Sequence, residues 1–435
     1  MSAERTRALR RYAAALGVAL GLVAAPASAQ VPQGDEIVLL GDPKLAAEGG
    51  VRTADSLRRA LQGYERAFPQ LFQPQPTVWL RGAFGVARLG KLLLLDVPLV
   101  SLEGTFLHEV YGHGARGREG GRTLDYQFRL PFPYSLLAKD NDFAAFTQPD
   151  RVGASRDEDI LFTLGGVETN LFTAQLVLRR AMVSGRMHTS DALLYFGKLN
   201  YMDSFLASSL GRPAANASND VTTYVTLLQD RSNHPRPEDR QRIAQNLRTA
   251  YLWNLADPFL VFAAYAALRH VATGERSQPL PALQAFGARF WPTLRFNLSP
   301  WGAEHYLGVD VRTRKGVLAE PYLRIGSSGL YRYVGAGFHL EGIEAGRLRL
   351  GADLDAWSQP QYVQNARNVY RREQVGGLAV AATVSARVYG PISLAGKLGA
   401  KTDGYLQAQP MGDGIFGFVG VAIGGLPSLT APIAP

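Results

Sequence analysis

The sequence predicts an α+β protein in which a helical domain, residues 101–291, precedes an antiparallel β-barrel or sheet of about eight strands, residues 292–425. Two observations support this fold class. In the first region the apolar residues recur with helical spacing, between signals for helix starts and ends. In the second region apolar and polar residues alternate with a period of two, which is typical of β-strands.

The first 29 residues are expected to be a bacterial signal peptide that takes no part in the fold. Four arginines precede an apolar run from Ala13 to Ala25, and the small residues after it permit cleavage behind Ala29. An uncleaved anchor helix is the less favoured alternative, because this run is short for crossing a bilayer. The mature chain is therefore expected in the periplasm or the outer membrane.

The composition limits the kinds of site and partner. The chain has no cysteine, so no disulfide holds the fold, and a transition-metal site would need histidine and carboxylate ligands. The formal net charge is +9, but four of the arginines belong to the expected signal peptide. No basic run interleaved with aromatic residues indicates nucleic-acid binding. The other arginines are expected on a solvated face or against anionic lipid.

The helical region contains one clear helix start. Ser155 and Glu158 have the spacing of a capping box, and the apolar stretch that follows ends at Arg179 and Arg180, cations that suit a helix C-terminus. Further helices are predicted over 190–210, 219–231, 237–255 and 258–272.

The C-terminal region reads as successive antiparallel strands. In "GLAVAATVSARVYG", the even positions from Leu378 to Val388 are all aliphatic, and the odd positions include Thr383, Ser385 and Arg387. Within the N-terminal segment, 30–100, the stretch from Thr77 to Leu102 is predicted to add a hairpin, which would bring the count to ten. The eight predicted strands lie near 293–299, 303–312, 317–325, 330–341, 346–357, 376–389, 391–401 and 414–423.

These strands resemble those of a bacterial outer-membrane β-barrel. Several reach the roughly nine to eleven residues that a tilted strand needs to cross a bilayer. One face is small or aliphatic and carries no charge, and the other carries Arg, Lys, Asp, Gly and Tyr. The resemblance implies contact with outer-membrane lipid. A soluble β-sandwich, which needs the same alternation, is the alternative.

A short motif in the helical region suggests metal chemistry. In "HEVYGH", His108 and His113 are five residues apart, so in a regular helix their side chains would diverge by about 140°. A π-bulge absorbs that rotation, and such bulges concentrate at functional sites. Gly112 lies where a backbone distortion would cost least.

The motif resembles that of dipeptidyl peptidase III-type metallopeptidases, whose pattern is His-Glu-x-x-Gly-His. The resemblance implies Zn²⁺ held by His108 and His113, with Glu109 as general base. It also implies Glu168, 55 residues after His113, as the third ligand. It covers only these residues, and Val167 departs from the double carboxylate of that family's second motif.

Glu168 is also unusual on its own account. It is the only charged residue in the apolar run from Ile160 to Leu178. A carboxylate in such a run is costly unless it pairs, protonates or binds a cation. Gly165 and Gly166, just before it, permit the close approach of a second helix.

The predicted function is zinc-dependent hydrolysis of peptide bonds in peptides or proteins of the bacterial envelope. Tyr111, His188, Tyr195 and Tyr201 are the candidates for stabilising the oxyanion of such a reaction. Two alternatives remain. The chain could be a non-enzymatic outer-membrane barrel whose helices serve as a plug or in assembly, or a metal enzyme that acts on a lipid or glycan ester.

Overall fold

The structure is a computed structural model. The expected signal peptide lies outside the residues it describes, as does Tyr201. The described residues are 37–41, 47–61, 65, 69–73, 75, 77–129, 131, 133–134, 145–150, 155–199, 205, 220–230, 236–328, 332–364 and 370–423.

A ten-stranded sheet organises the fold. Its spatial order is β1-β14-β13-β12-β11-β10-β9-β8-β7-β6, and every neighbouring pair is antiparallel. Each of the eight strands expected from the sequence is present. The sheet strands are β1 (Ile37–Gly41), β6 (Leu283–Ala285), β7 (Ala288–Ser299), β8 (Gly302–Thr313), β9 (Leu318–Ser327), β10 (Arg332–Ala345), β11 (Leu348–Gln364), β12 (Tyr370–Tyr389), β13 (Ile392–Lys401) and β14 (Gly414–Ile423).

The sheet is open, so the expectation of a closed barrel is wrong and that of a sheet is correct. Strands β1 and β6 are its two ends, and in the described part of the chain no pairing joins them. Two small ribbons are separate from it. They are formed by β2 (Leu124–Phe128) with β3 (Ala145–Pro149), and by β4 (Arg186–His188) with β5 (Ser277–Pro279).

The helices include one that continues through two π-helical turns. This long helix runs from Val78 to Glu119 as α2 (Val78–Lys91), π1 (Leu92–Asp96), α3 (Val97–Phe106), π2 (Leu107–His113) and α4 (Gly114–Glu119). The other helices are α1 (Ala47–Leu61), α5 (Arg156–Ser184), α6 (Thr189–Tyr195), α7 (Asp220–Asp230), α8 (Pro237–Trp253) and α9 (Pro258–Thr273).

The hairpin predicted between Thr77 and Leu102 is wrong, because this segment forms the first part of the long helix. Thr77 caps its start by accepting a hydrogen bond from the Leu80 backbone N–H at 3.3 Å. Leucines occur on several sides of π1 and α3, so the sequence lacks the single apolar stripe that identifies a surface helix.

Helix α5 is the central helix, and the sheet and helices share one core. The predicted capping box of Ser155 and Glu158 is present, and Gly185 ends the helix with a φ of 72°. Apolar residues of α5, α7 and α8 pack with Phe296, Leu298 and Trp301 of the sheet region. The two halves predicted from the sequence are thus packed against each other.

One helix, α5, is long and apolar enough to cross a membrane, but 94% of its most apolar window is buried inside the protein. The segments Glu238–Ala256 and Pro258–Thr273 would pass the same test only as one span, and they meet at an angle of 54°. Its burial therefore identifies α5 as a core helix.

Candidate metal centre

The π-helical turn π2 brings the two histidines of the motif together. As the five-residue spacing predicts, the backbone from Leu107 to His113 is π-helical, and the extra residue per turn offsets the divergence of a regular helix. The imidazole rings lie edge to face with centroids 4.7 Å apart. Their Nε2 atoms are separated by 3.1 Å.

Asp220, the first residue of α7, supplies the third donor. Its Oδ2 lies 3.1 Å from Nε2 of His108 and 3.4 Å from Nε2 of His113. A tetrahedral zinc ion with bonds of about 2.0–2.1 Å separates its ligands by roughly 3.3 Å. The three donor atoms therefore have the spacing of one face of a zinc tetrahedron, and the donor set fits the ion.

The surroundings orient the rings for such a role. Nδ1 of His113 lies 2.7 Å from the carbonyl oxygen of Phe162, so an Nδ1–H donated there leaves Nε2 free for a metal. Nδ1 of His108 lies 3.4 Å from the Asn170 side-chain amide. Turning this amide would present its oxygen as the acceptor for the His108 ring. Both histidine rings thus have an outer partner.

Close packing of α5 against π2 fixes the position of these rings. A Cβ atom on Gly112 would lie 2.6 Å from the Gly165 carbonyl oxygen, and one on Gly166 would overlap the His108 ring. The sequence expectation that Gly165 and Gly166 permit the close approach of a second helix is confirmed. Larger residues here would separate α5 from the motif.

Electrostatics make His113 and Asp220 a charged pair when no metal is bound. Burial alone would lower the pKa of His113, but the charge of Asp220 overrides it and raises that pKa to about 9. Burial likewise opposes ionisation of Asp220, yet the charge of His113 holds the pKa of that carboxyl well below its usual range. A proton and a metal therefore compete for the same nitrogen.

Glu168, the third ligand expected from the resemblance, does not belong to this group. Its carboxylate accepts hydrogen bonds from Arg116 at 2.9 and 2.7 Å. The Tyr405 hydroxyl and the Ala408 backbone N–H also donate to it, at 2.9 and 2.7 Å. The buried Glu168 carboxylate is paired, as its position in an apolar run requires, but its partner is an arginine and not a metal ion. Asp220 takes the place expected of Glu168.

Glu109, the expected general base, is buried beside the metal-binding group. The Thr147 hydroxyl donates to its Oε2 at 2.5 Å. Glu109 and His108 both line a cavity of about 400 Å³. Its wall includes Ser101 and Gly104 of α3, and Asn170 of α5.

The described oxyanion candidates lie elsewhere. The Tyr111 ring packs against Phe106, His188 pairs with Glu65 at 3.4 Å, and Tyr195 donates to Asp257. None of the three lines the cavity in the part of the chain that the structure describes. The cavity instead offers shorter polar groups, those of Ser101, Thr105, Asn170 and Thr173.

Asp220 is the site residue that the sequence did not reveal. It follows Asn219 in "NASND", at the start of a predicted helix. An acidic residue in that position ordinarily favours the helix N-terminus, so no local signal distinguishes it as a ligand.

Comparison with known proteins adds no assignment. No protein-family model matches the chain, and no curated protein or solved structure is significantly similar to it.

Proposed function

We propose that the protein is a zinc-dependent hydrolase that cleaves peptide bonds, with His108, His113 and Asp220 as metal ligands and Glu109 as general base. The spacing of the three donor atoms, 3.1, 3.1 and 3.4 Å, is the observation that carries the proposal. The assignment to peptide bonds, rather than to esters of lipids or glycans, rests on the resemblance of "HEVYGH" to metallopeptidase motifs.

The residues have distinct roles in such a reaction. A bound zinc ion would lower the pKa of its water towards 7 and polarise the scissile carbonyl. Glu109 accepts the proton of the attacking water and delivers it to the leaving nitrogen. The Thr147 hydroxyl donates to Oε2 and so orients the carboxylate. The cavity beside Glu109 holds the substrate segment.

Asp220 is the most exposed of the three donor residues. The Asp220 side chain is 21% exposed, against 8% for each histidine. Three protein donors would leave one position of a tetrahedral ion for water. An open fourth position distinguishes catalytic from structural zinc sites.

Elemental analysis of the purified protein tests the metal assignment. We expect one zinc per chain in the wild type, none in H113A or D220A, and one in E168Q. Zinc lost in E168Q but retained in D220A would favour the ligand set of the resemblance. No zinc in the wild type after incubation with the metal would leave His113 and Asp220 as a structural ion pair and contradict the proposal.

Hydrolysis of a quenched fluorescent peptide library tests the role of Glu109. E109Q should retain zinc and lose activity, and D125N, which changes an exposed carboxylate on β2, should retain both. A parallel assay with lipid and glycan esters distinguishes the alternative substrates. A zinc-loaded wild type that hydrolyses none of them would favour the non-enzymatic alternative.

A further inference from the structure

The outward face of the large sheet is apolar and exposed. From β9 to β14, each strand presents an aliphatic side chain that is between 43 and 67% exposed. The strand registers place these side chains on the same face. They are, in strand order, Leu323, Val334, Leu354, Val384, Leu394 and Val419.

This face lacks charge over long stretches. The outward positions of Leu348–Ala356, Leu378–Val388, Ile392–Ala400 and Ile415–Ile423 contain no Asp, Glu, Lys or Arg. Each stretch reaches the roughly nine to eleven residues that a tilted strand needs to cross the hydrocarbon layer.

The charges lie on the opposite, inward face. Arg324 binds Glu304 at 2.6 Å, and both side chains are buried. Lys397 likewise lies 2.9 Å from Asp353. A water-soluble sheet buries its apolar face and exposes its polar one. The arrangement here is reversed, as in the strands of membrane β-barrels.

Helices lie beside both ends of the sheet. Helix α1 contacts β1, where the Leu40 N–H donates to the Thr53 hydroxyl at 2.9 Å. Helix α9 contacts β7 through Phe259 and Trp291, whose ring centroids are 5.7 Å apart. Arg88 of α2 joins this helix to α9, because it donates hydrogen bonds to the carbonyl oxygens of two residues near the end of α9.

Large apolar residues are also exposed on α2, π1 and α9. Trp79 and Val86 of α2 and Leu94 of π1 are exposed, as are Val261 and Leu268 of α9. Solvent-exposed helix faces normally carry polar residues. The helices beside the open side of the sheet therefore show the same reversal as the strands.

Charged residues mark the two ends of the strands. Arg314 and Lys315 lie exposed in the turn between β8 and β9, and Arg347 precedes β11 at the same end. Asp403 and Asp413 are exposed at the opposite end, between β13 and β14. The apolar stretch is thus limited on both sides by groups suited to water or lipid headgroups.

We propose that the outward face of β9–β14, together with the exposed faces of α2, π1 and α9, forms one apolar belt that is embedded in a lipid bilayer. Acyl chains fit better than a second copy of the chain, because the belt includes both the sheet and the helices α2, π1 and α9 beside one of its ends. The outward face of the sheet is uncharged, as are the acyl chains of lipids. This inference does not depend on a metal at the candidate site.

Site-directed spin labels test the belt directly, since the absence of native cysteine allows single labels on an otherwise unchanged chain. L354C reports on the sheet and L94C on the long helix. K315C in the β8–β9 turn is the water-exposed control, and A381C on the inward face is the buried control. The full mature protein is reconstituted in vesicles of phosphatidylethanolamine and phosphatidylglycerol.

We expect labels at 354 and 94 to collide with oxygen, which dissolves in acyl chains, and to be shielded from a water-soluble nickel chelate. The label at 315 should show the reverse, and the label at 381 should be shielded from both. Nickel access at 354, or a protein that stays in the aqueous phase without detergent, would overturn the proposal. Nickel access at 94 alone would remove the helices from the belt and contradict its continuity. Shielding of 354 from both reagents would indicate a second copy and also contradict the lipid assignment.

Discussion

Gly166 lies directly against the imidazole of His108, so that a Cβ atom on Gly166 would overlap the ring. The ring position therefore depends on a missing methyl group in the neighbouring helix α5. Nε2 of His108 is one of three converging donors. The packing of α5 against π2 therefore determines the geometry of the candidate metal site.

The first prediction is that G166A weakens zinc binding by about tenfold or more, the range seen when groups that orient metal ligands are altered. The added methyl would overlap the His108 ring and force it out of its present position. Competition with a chelating dye measures the affinity, and the far-ultraviolet circular dichroism spectrum checks the fold. G82A is the matched control, because a Cβ there meets no atom. Unchanged affinity in G166A would show that the ring does not contribute to the site.

The second prediction separates the two carboxylates. E168Q removes the buried charge that pairs with Arg116 and leaves that guanidinium with the more exposed Glu119; breaking a buried ion pair costs up to about 3–5 kcal/mol. We therefore expect a large loss of the free energy of unfolding with zinc stoichiometry retained. D220N should instead lose zinc. Thermal unfolding in detergent, followed with and without zinc, measures both effects. A stable E168Q without zinc would contradict the assigned roles.

The sequence predicted the features that depend on neighbouring residues. Alternation predicted the strands from β7 to β14, because side-chain direction in a strand is a local property. The five-residue separation of His108 and His113 predicted the π-helical turn, because a regular helix cannot direct both rings to one place.

Features that depend on distant residues were not predictable. The pairing of Glu168 with Arg116 joins residues 52 positions apart, and a lone carboxylate in a sequence does not indicate which cation it meets. Asp220 resembles any acidic residue at a helix start. The segment from Thr77 to Leu102 was misread as strands, because a helix apolar on several sides has no amphipathic period.

The third prediction concerns pH. The pKa of His113 is raised to about 9 in the folded, metal-free protein, above its ordinary 6.5. Its pairing with Asp220 therefore stabilises the metal-free fold fully below pH 6.5, and this contribution is lost as the pH rises through 9. Zinc must displace the same proton, so we expect binding near pH 7 to release about one proton and to tighten as the pH rises towards 9.

Calorimetric titration in buffers of different ionisation enthalpy counts the released protons. Nuclear magnetic resonance of the His113 ring in the metal-free protein gives its pKa directly, and D220N, which lacks the charge responsible for the shift, should bring it down. A titration midpoint near 6.5 in the wild type would show that Asp220 does not control this histidine.

The fourth prediction concerns the apolar belt. An arginine facing lipid near the middle of the bilayer costs about 2–4 kcal/mol, falling to about 0–1 kcal/mol near the interface. L354R should therefore lower the free energy of folding into vesicles by several kcal/mol, and Y389R, at the strand end, should lower it far less. On a water-exposed face, each substitution would usually change the free energy of folding by no more than about 0.5 kcal/mol. Equally small effects of L354R and Y389R would therefore contradict the lipid assignment.

The fifth prediction locates the substrate. Gly104 lies near the end of α3 but inside the long continuous helix, where glycine lowers helix stability by about 1 kcal/mol relative to alanine, yet a Cβ on it would meet nothing within 4 Å. Packing within the chain therefore does not require this glycine, but it lines the cavity beside Glu109.

We expect G104F to retain zinc and to raise KM or abolish peptide hydrolysis, because the ring fills the cavity. G82F, also at a helical glycine with open space around it, should leave zinc content and hydrolysis unchanged. Full activity in G104F with zinc retained would place the substrate outside this cavity. Full activity with zinc lost would in addition put the metal ligands in question.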